Sequence, residues 1–262
     1  MIIDSNTHIT RDGKWFHTIH DASVSRLIHD VKESGIDAAI VMPLPGTISN
    51  EEQDVLLHGH AALISCASFN PALYRSPFEA GEAFRKTFSS RKKTIVKFHH
   101  RFGKYHPNDE RFIEVMRVNE TLETPMVIAV CGLLHDRNIR EAVYTPGYFF
   151  NLAQKFSRTQ ILIMHGGGTQ IMQVAEICRD LHHVFFDLSM TLSKYRNTSV
   201  SSDIAWLCNH YDRRMLWGSD FPETSPRQAL EDFYATVGNI AEEKKNNILG
   251  NNMAGLLGLN SI

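Results

Sequence analysis

The sequence predicts an α/β fold, a (β/α)8 TIM barrel forming a single domain over residues 1–262. Three observations carry that expectation. Short apolar runs alternate with longer segments whose apolar residues recur at three- and four-residue spacing. The runs are mostly continuous rather than alternating, as in strands buried on both faces of a parallel sheet. Eight such units in 262 residues match a closed barrel in count and length. No Gly-x-Gly-x-x-Gly follows the first strand, which disfavours an open dinucleotide-binding sheet.

The elements follow in order. Strands are expected at 2–4, 38–42, 63–69, 94–98, 126–130, 161–164, 184–188 and 215–218, all rich in Val, Ile, Leu, Met or Phe. Helices are expected at 23–34, 77–89, 109–122, 169–179, 202–210 and 226–237. Gly35 stops the first helix and Ile36-Asp37 leads into the second strand. No linker or shift in composition divides the chain.

Bulk properties narrow the partners. A formal charge of -2 creates no field for nucleic acid or an anionic membrane surface. No apolar stretch reaches the roughly 20 residues of a spanning helix, and no signal peptide is visible. Cys66, Cys131, Cys178 and Cys208 lie far apart with no Cys-x-x-Cys pair, so a reduced, cytoplasmic protein is expected. The expected partner is a small-molecule substrate.

In a barrel the chemistry sits at the carboxyl ends of the strands, and polar residues gather there. The first strand leads to Asn6 and His8, the fourth to Lys97, His99 and Arg101, and the fifth to Cys131. The sixth leads to His165 and three glycines, the seventh to Asp187 and Ser189, and the eighth to Asp220. An imidazole and a carboxylate suit zinc, so His8 and Asp220 are candidate metal ligands. Asp220 also suits a general base. Taken singly, His8 reads as a strand-end histidine and Asp220 as a turn residue before Pro222; their shared rim favours a site. His165, Asp220 and Lys97 are the candidate catalytic residues. An ammonium inside an apolar strand needs a carboxylate, a bound anion or a covalent change. Asn6, His99, Arg101 and Cys131 are candidate substrate contacts, although a lone buried thiol is usually a small hydrophobe. Trp15, Phe16 and Met42-Pro43-Leu44-Pro45 are expected to shape the pocket.

Together these stretches resemble the amidohydrolase superfamily, in its amidohydrolase-related branch of aminocarboxymuconate semialdehyde decarboxylase-like enzymes and lactone hydrolases. IIDSNTHI, SGIDAAIVMPLPG, ASFNP, IVKFHH, TPMVIAVCG, ILIMHGGG, RMLWGSDFP and ILGNNMAGLLGL occur in order along nearly the whole chain. The resemblance implies a barrel and a hydrolase of a small anionic or cyclic substrate, with metal-dependent decarboxylation or a decayed, non-catalytic barrel as alternatives. It implies His165 as acid/base, Asp220 as ligand and base, and Lys97 as the lysine that some members carboxylate. The usual first-strand His-x-His appears as Asn6 and His8, and the fifth-strand ligand histidine falls on Ala129 or Val130. A divalent metal such as zinc is therefore implied by ancestry, while metal-free catalysis fits the changed ligands better. A homodimer is a further implication of the resemblance.

Overall fold

The computed structural model describes residues 1–133 and 145–259. Among them, parallel strands build the wall: β1 Ile3–Thr7, β2 Ala38–Val41, β3 Leu63–Ser65, β4 Ala67–Ser68, β5 Ile95–Phe98, β6 Val127–Cys131, β7 Ile161–Met164, β8 Val184–Asp187 and β9 Met215–Leu216. β1, β2 and β3 pair in order, as do β4 through β9. β3 and β4 are halves of one stave parted at Cys66, so nine strands make eight staves. Across the break, Cys66 N–H donates to the Val41 carbonyl at 3.0 Å and Phe69 N–H to that of Lys97 at 3.1 Å. The stave thereby hands its hydrogen bonding from β2 to β5.

The last stave closes on the first through its extension beyond β9. Ser5 N–H donates to Trp217 O at 3.1 Å, Asp220 N–H to Asn6 O at 3.0 Å, and His8 N–H to Phe221 O at 2.8 Å. These bonds bring the two ends of the sequence-predicted site together.

The helices are α1 Val24–Ser34, α2 Asn50–Leu57, α3 Pro77–Phe88, α4 His100–Gly103, α5 Glu110–Thr121, α6 Pro146–Lys155, α7 Ile171–Ile177, α8 Thr191–Lys194, α9 Ser199–His210, α10 Pro226–Val237, α11 Glu242–Asn246 and α12 Asn252–Leu257. Local chemistry fixes their ends. Ser23 caps α1 by accepting from Arg26 N–H, and Gly35 ends it in the left-handed conformation. α2 was not expected, because only Gln53 and Leu57 of its eight residues are buried and the apolar periodicity is weak. Its signal lies in Ser49 and Glu52, which form a reciprocal capping box. α6 was missed as well, although Thr145 caps it and Pro146 opens it.

Two concentric apolar layers result. Ile3, Ala38, Ile40, Ile95, Val127, Ala129, Leu162 and Leu216 fill the barrel, joined by Met253 and Leu256 of α12. Val96, Phe98, Ile128, Val130, Ile163 and Phe186 face outward to helix residues such as Phe84, Phe112, Ile204 and Phe233. Each fully buried side chain of this size contributes about 1.5–3 kcal/mol. No helix among the described residues is long and apolar enough to cross a membrane.

Candidate active site

β1 is longer than its apolar residues alone suggest. Asp4, Ser5, Asn6 and Thr7 are all buried within it. Buried polar groups need partners, and those partners come from the far end of the chain. Ser5 Oγ donates to Asp187 in a short hydrogen bond, and Ser189 Oγ donates to the same carboxylate. Asn6 Nδ2 donates to Ser189 Oγ at 3.0 Å and to Asp220 Oδ1 at 2.7 Å. Asp220 accepts only, so the orientation of the Asn6 amide is fixed, and its Oδ1 is buried with no hydrogen-bond partner among the described residues. Gly218 makes this crossing feasible, since a Cβ there would lie 2.5 Å from Ser5 Oγ and 3.0 Å from Asp187 Oδ2.

The histidines are oriented by backbone carbonyls. His8 Nδ1 donates to Met42 O at 2.7 Å, which turns Nε2 toward Asp220 Oδ1 at 3.5 Å. His165 follows β7 with φ 60°, and Gly166 after it also has φ 60°. That turn lets His165 Nδ1 donate to the Ser189 carbonyl at 3.0 Å, leaving Nε2 outside that bond. A Cβ on Gly166 would meet Ile171 at 2.7 Å, so close packing as well as positive φ requires glycine. Asp220 itself has φ 63°, an uncommon backbone state of the kind held in place at functional sites.

Electrostatics separate the acids. Burial pushes the Asp220 carboxyl up, but His165, then His8 and Lys97, outweigh it and hold the group at about 2. Asp4 has no such cation. Burial dominates over its hydrogen bonds from Ser219 and Asn6 and raises it to about 7. Two carboxyl groups on neighbouring strands are thus driven in opposite directions.

This opposition gives a stability prediction. Asp4 titrates near 3.8 unfolded and about 7 folded, so its contribution is fully present below pH 4 and is lost as pH rises to about 7. The span corresponds to at most about 4 kcal/mol. Asp4→Asn should flatten this slope and raise Tm at pH 8. Thermal melts of both proteins at pH 4, 6 and 8 check it; parallel pH dependences would refute it.

Lys97 is 1% exposed and makes no hydrogen bond or ion pair with a described residue. Burial lowers its pKa, opposed by Cys131, Asp187 and Asp220. Among the described residues no Asp pairs directly with it. Burial also pushes the Cys131 thiol up, against Lys97 and Arg101, so Cys131 is a protonated thiol and a poor ligand or nucleophile. His99 is pushed well below its ordinary value by burial and then by Lys97. Its neutral ring accepts weakly from Phe102 N–H at Nδ1, 3.5 Å away, so Nε2 carries the proton. The Arg101 charge bears on both Cys131 and His99. Its side chain is half-buried and lines a neighbouring groove with Pro45, Asn70, Phe102 and Lys104.

The side chains do not fit a divalent ion well. The Asn6 amide turns hydrogens, not a lone pair, toward Asp220. β6 pairs Ala129 with Lys97 and Val130 with Phe98, so Ala129 faces the interior and Val130 the helices. The inward place at that level therefore carries no donor. Among the described residues, no group of three or more His, Cys, Asp or Glu side chains converges as an ion site.

Sequence reasoning missed Asp4 and Ser5, whose signal was a run of four polar residues directly after an apolar strand start. It also missed Phe102 and Glu223, which have no local signature and act through contacts across the mouth.

A closed eight-stave barrel with its acid, histidines and lysine at one rim defines a class of hydrolytic barrels. The chain belongs to the amidohydrolase family, whose model matches residues 11–259, and is an enzyme of the hydrolase type. Similar solved structures show the same fold. An uncharacterised TIM-barrel protein from Bordetella bronchiseptica has a TM-score of 0.76 at 14% identity, covering 98% of both chains. An amidohydrolase from Burkholderia multivorans with bound zinc has a TM-score of 0.69 at 15% identity, covering 99% of this chain and 100% of that one. A probable 2-pyrone-4,6-dicarboxylic acid hydrolase from Acinetobacter baumannii, with citric acid bound, has 0.63 at 14% identity, covering 98% and 99%. Comparison with curated proteins finds no match.

Proposed function

We propose that the chain hydrolyses a small anionic substrate with a cyclic ester or amide bond at the carboxyl end of the barrel, without a metal ion. The observation that carries this reading is the convergence on Asp220 of His8, the Asn6 amide and the cationic influence of His165 and Lys97. Asp220 is thereby ionised throughout the physiological range. A carboxylate at about 2 is a weak base before substrate binds. An anionic substrate beside Lys97 offsets one of the cations, so binding raises the basicity of Asp220 when water is to be deprotonated.

In this mechanism Asp220 takes a proton from water as the water oxygen attacks the carbonyl carbon. Lys97 and the proton on His99 Nε2 stabilise the negative charge that develops on the carbonyl oxygen. The tetrahedral adduct collapses, the ring C–O or C–N bond breaks, and the leaving atom recovers a proton. His165 Nε2 is free to relay that proton. Ancestry supports the substrate class, since the similar protein from Acinetobacter baumannii is described as a probable hydrolase of a pyrone dicarboxylic acid. The donor set supports metal-free chemistry, because Asn6 presents its amide hydrogens to Asp220, its neutral oxygen is a weaker donor than the imidazole it replaces, and Ala129 carries no donor.

The test is a panel of small lactones and cyclic amides with and without a carboxylate, assayed in the presence and absence of a chelator. Turnover of the carboxylated members should persist in chelator, and Lys97→Met should remove the preference for them. Loss of all turnover on chelation would refute the metal-free mechanism. Release of CO2 from an acyclic acid, with no ring opening, would favour a decarboxylase instead.

A further inference from the structure

The candidate centre is almost fully buried. His8, Lys97, His99, His165 and Asp220 are exposed by only 4%, 1%, 7%, 6% and 7%. Access to them widens when a covering element moves, and the loop after β1 has the construction to do so.

Residues 10–22 lead from β1 to α1 and are hydrogen-bonded mainly to themselves. Thr10 N–H donates to Ala22 O at 3.1 Å, Ala22 N–H to Gly13 O at 2.8 Å, and Thr18 N–H to Trp15 O at 3.1 Å. Lys14 and Asp21 form an isolated antiparallel bridge. A loop that satisfies its own backbone can shift as a unit without exposing unpaired groups. Its apolar contacts also form a separate cluster of Trp15, Ala22 and Leu44 with Phe102, outside both barrel layers.

The tip of this loop crosses the mouth. Trp15 stacks on His8 with ring centroids 5.6 Å apart, and its Nε1 donates to Glu223 at 2.6 Å. Phe16 stacks on Phe102 at 5.2 Å with an interplanar angle of 1°. Phe102 in turn lies 4.5 Å from the His99 ring. The aromatic chain therefore runs from the β9 side of the rim to the β5 side. Phe16 has φ 51°, a conformation that is strained for a bulky residue and persists only while its contacts hold it.

We infer that residues 10–22 are an aromatic gate over the centre, latched by the stacking of Phe16 on Phe102. Opening breaks that stack, the Trp15–Glu223 bond and the exposed Arg11–Glu52 ion pair, lifts Trp15 from His8 and admits a ligand to Asp220. The functional meaning of the gate rests on the catalytic reading above; its motion does not.

Access is measured by carbethoxylation with diethyl pyrocarbonate, followed residue by residue by peptide mass spectrometry. His58 and His60, exposed on the outer surface, serve as internal references. Phe102→Ala should speed modification of His8 and His165 by about tenfold or more relative to those references. Phe16→Gly, which removes both the stack and the strain, should do the same and covers the case in which Phe102→Ala fails to fold. In the unmodified sequence, backbone amides of residues 10–22 should exchange with deuterium well before those of β5 and β6. Unchanged reactivity in the folded variants, or loop amides as protected as the strands, would overturn the gate. Should the gate behave as described while Asp220→Asn keeps full turnover, the catalytic reading fails and the gate stands.

Discussion

Asp220→Asn is expected to reduce turnover by roughly 10²–10⁴-fold, the range for loss of a positioned general base. The amide is nearly isosteric, so binding should change far less than kcat. The variant also turns an NH2 or a neutral oxygen toward His8 Nε2 and Asn6 Nδ2, both of which now face a carboxylate. Asp220 is held at about 2 against an unfolded 3.8, so its stabilising contribution is present above pH 4 and disappears as pH falls toward 2. That contribution is about 2 kcal/mol. The variant should therefore be less stable at pH 7 and equal to the parent at the acid end. Steady-state kinetics on an active substrate, with melts at pH 2 and 7, check both parts. Full turnover in the variant would show that the proposed centre is wrong.

Zinc affinity is expected to rise by roughly 100-fold or more in the double variant Asn6→His, Ala129→His. With His8 and Asp220 the two new imidazoles would supply four donors of the kinds zinc prefers. Asn6→His also removes the hydrogens now directed at Asp220 Oδ1, freeing its lone pair for an ion. Ala129 is the proper site, because β6 turns it into the barrel beside Lys97, whereas Val130 points to the helix layer. Titration calorimetry of parent and variant, both stripped with chelator, decides the matter. Equal affinities would show that something other than these two positions governs ion binding.

The barrel was legible because its signal is local and repeated. A strand such as Ile161–Met164 is a continuous apolar run, and Pro226–Val237 has both a proline start and a regular apolar stripe. Failures followed where burial is slight or polar. α2 buries too little to show a period, and β1 hides four polar residues in a fully enclosed strand. Ends of strands shifted by a residue or two because hydrogen bonding to neighbours, not hydrophobicity, terminates them.

The site divides along the same line. Sequence alone determined which residues meet at the rim, since the alternation of strands and helices places every strand end on one side. His8, Lys97, His165 and Asp220 were identified in that way. Whether Lys97 has a partner, which hydrogens Asn6 presents, how far Asp220 and Asp4 diverge, and what covers the mouth were decided only by tertiary structure. Those properties depend on atoms from residues about 180 to 215 positions apart, brought within hydrogen-bonding distance by closure of the last stave on the first. A hydrogen bond or a desolvation cost has no signature in either segment until both are placed.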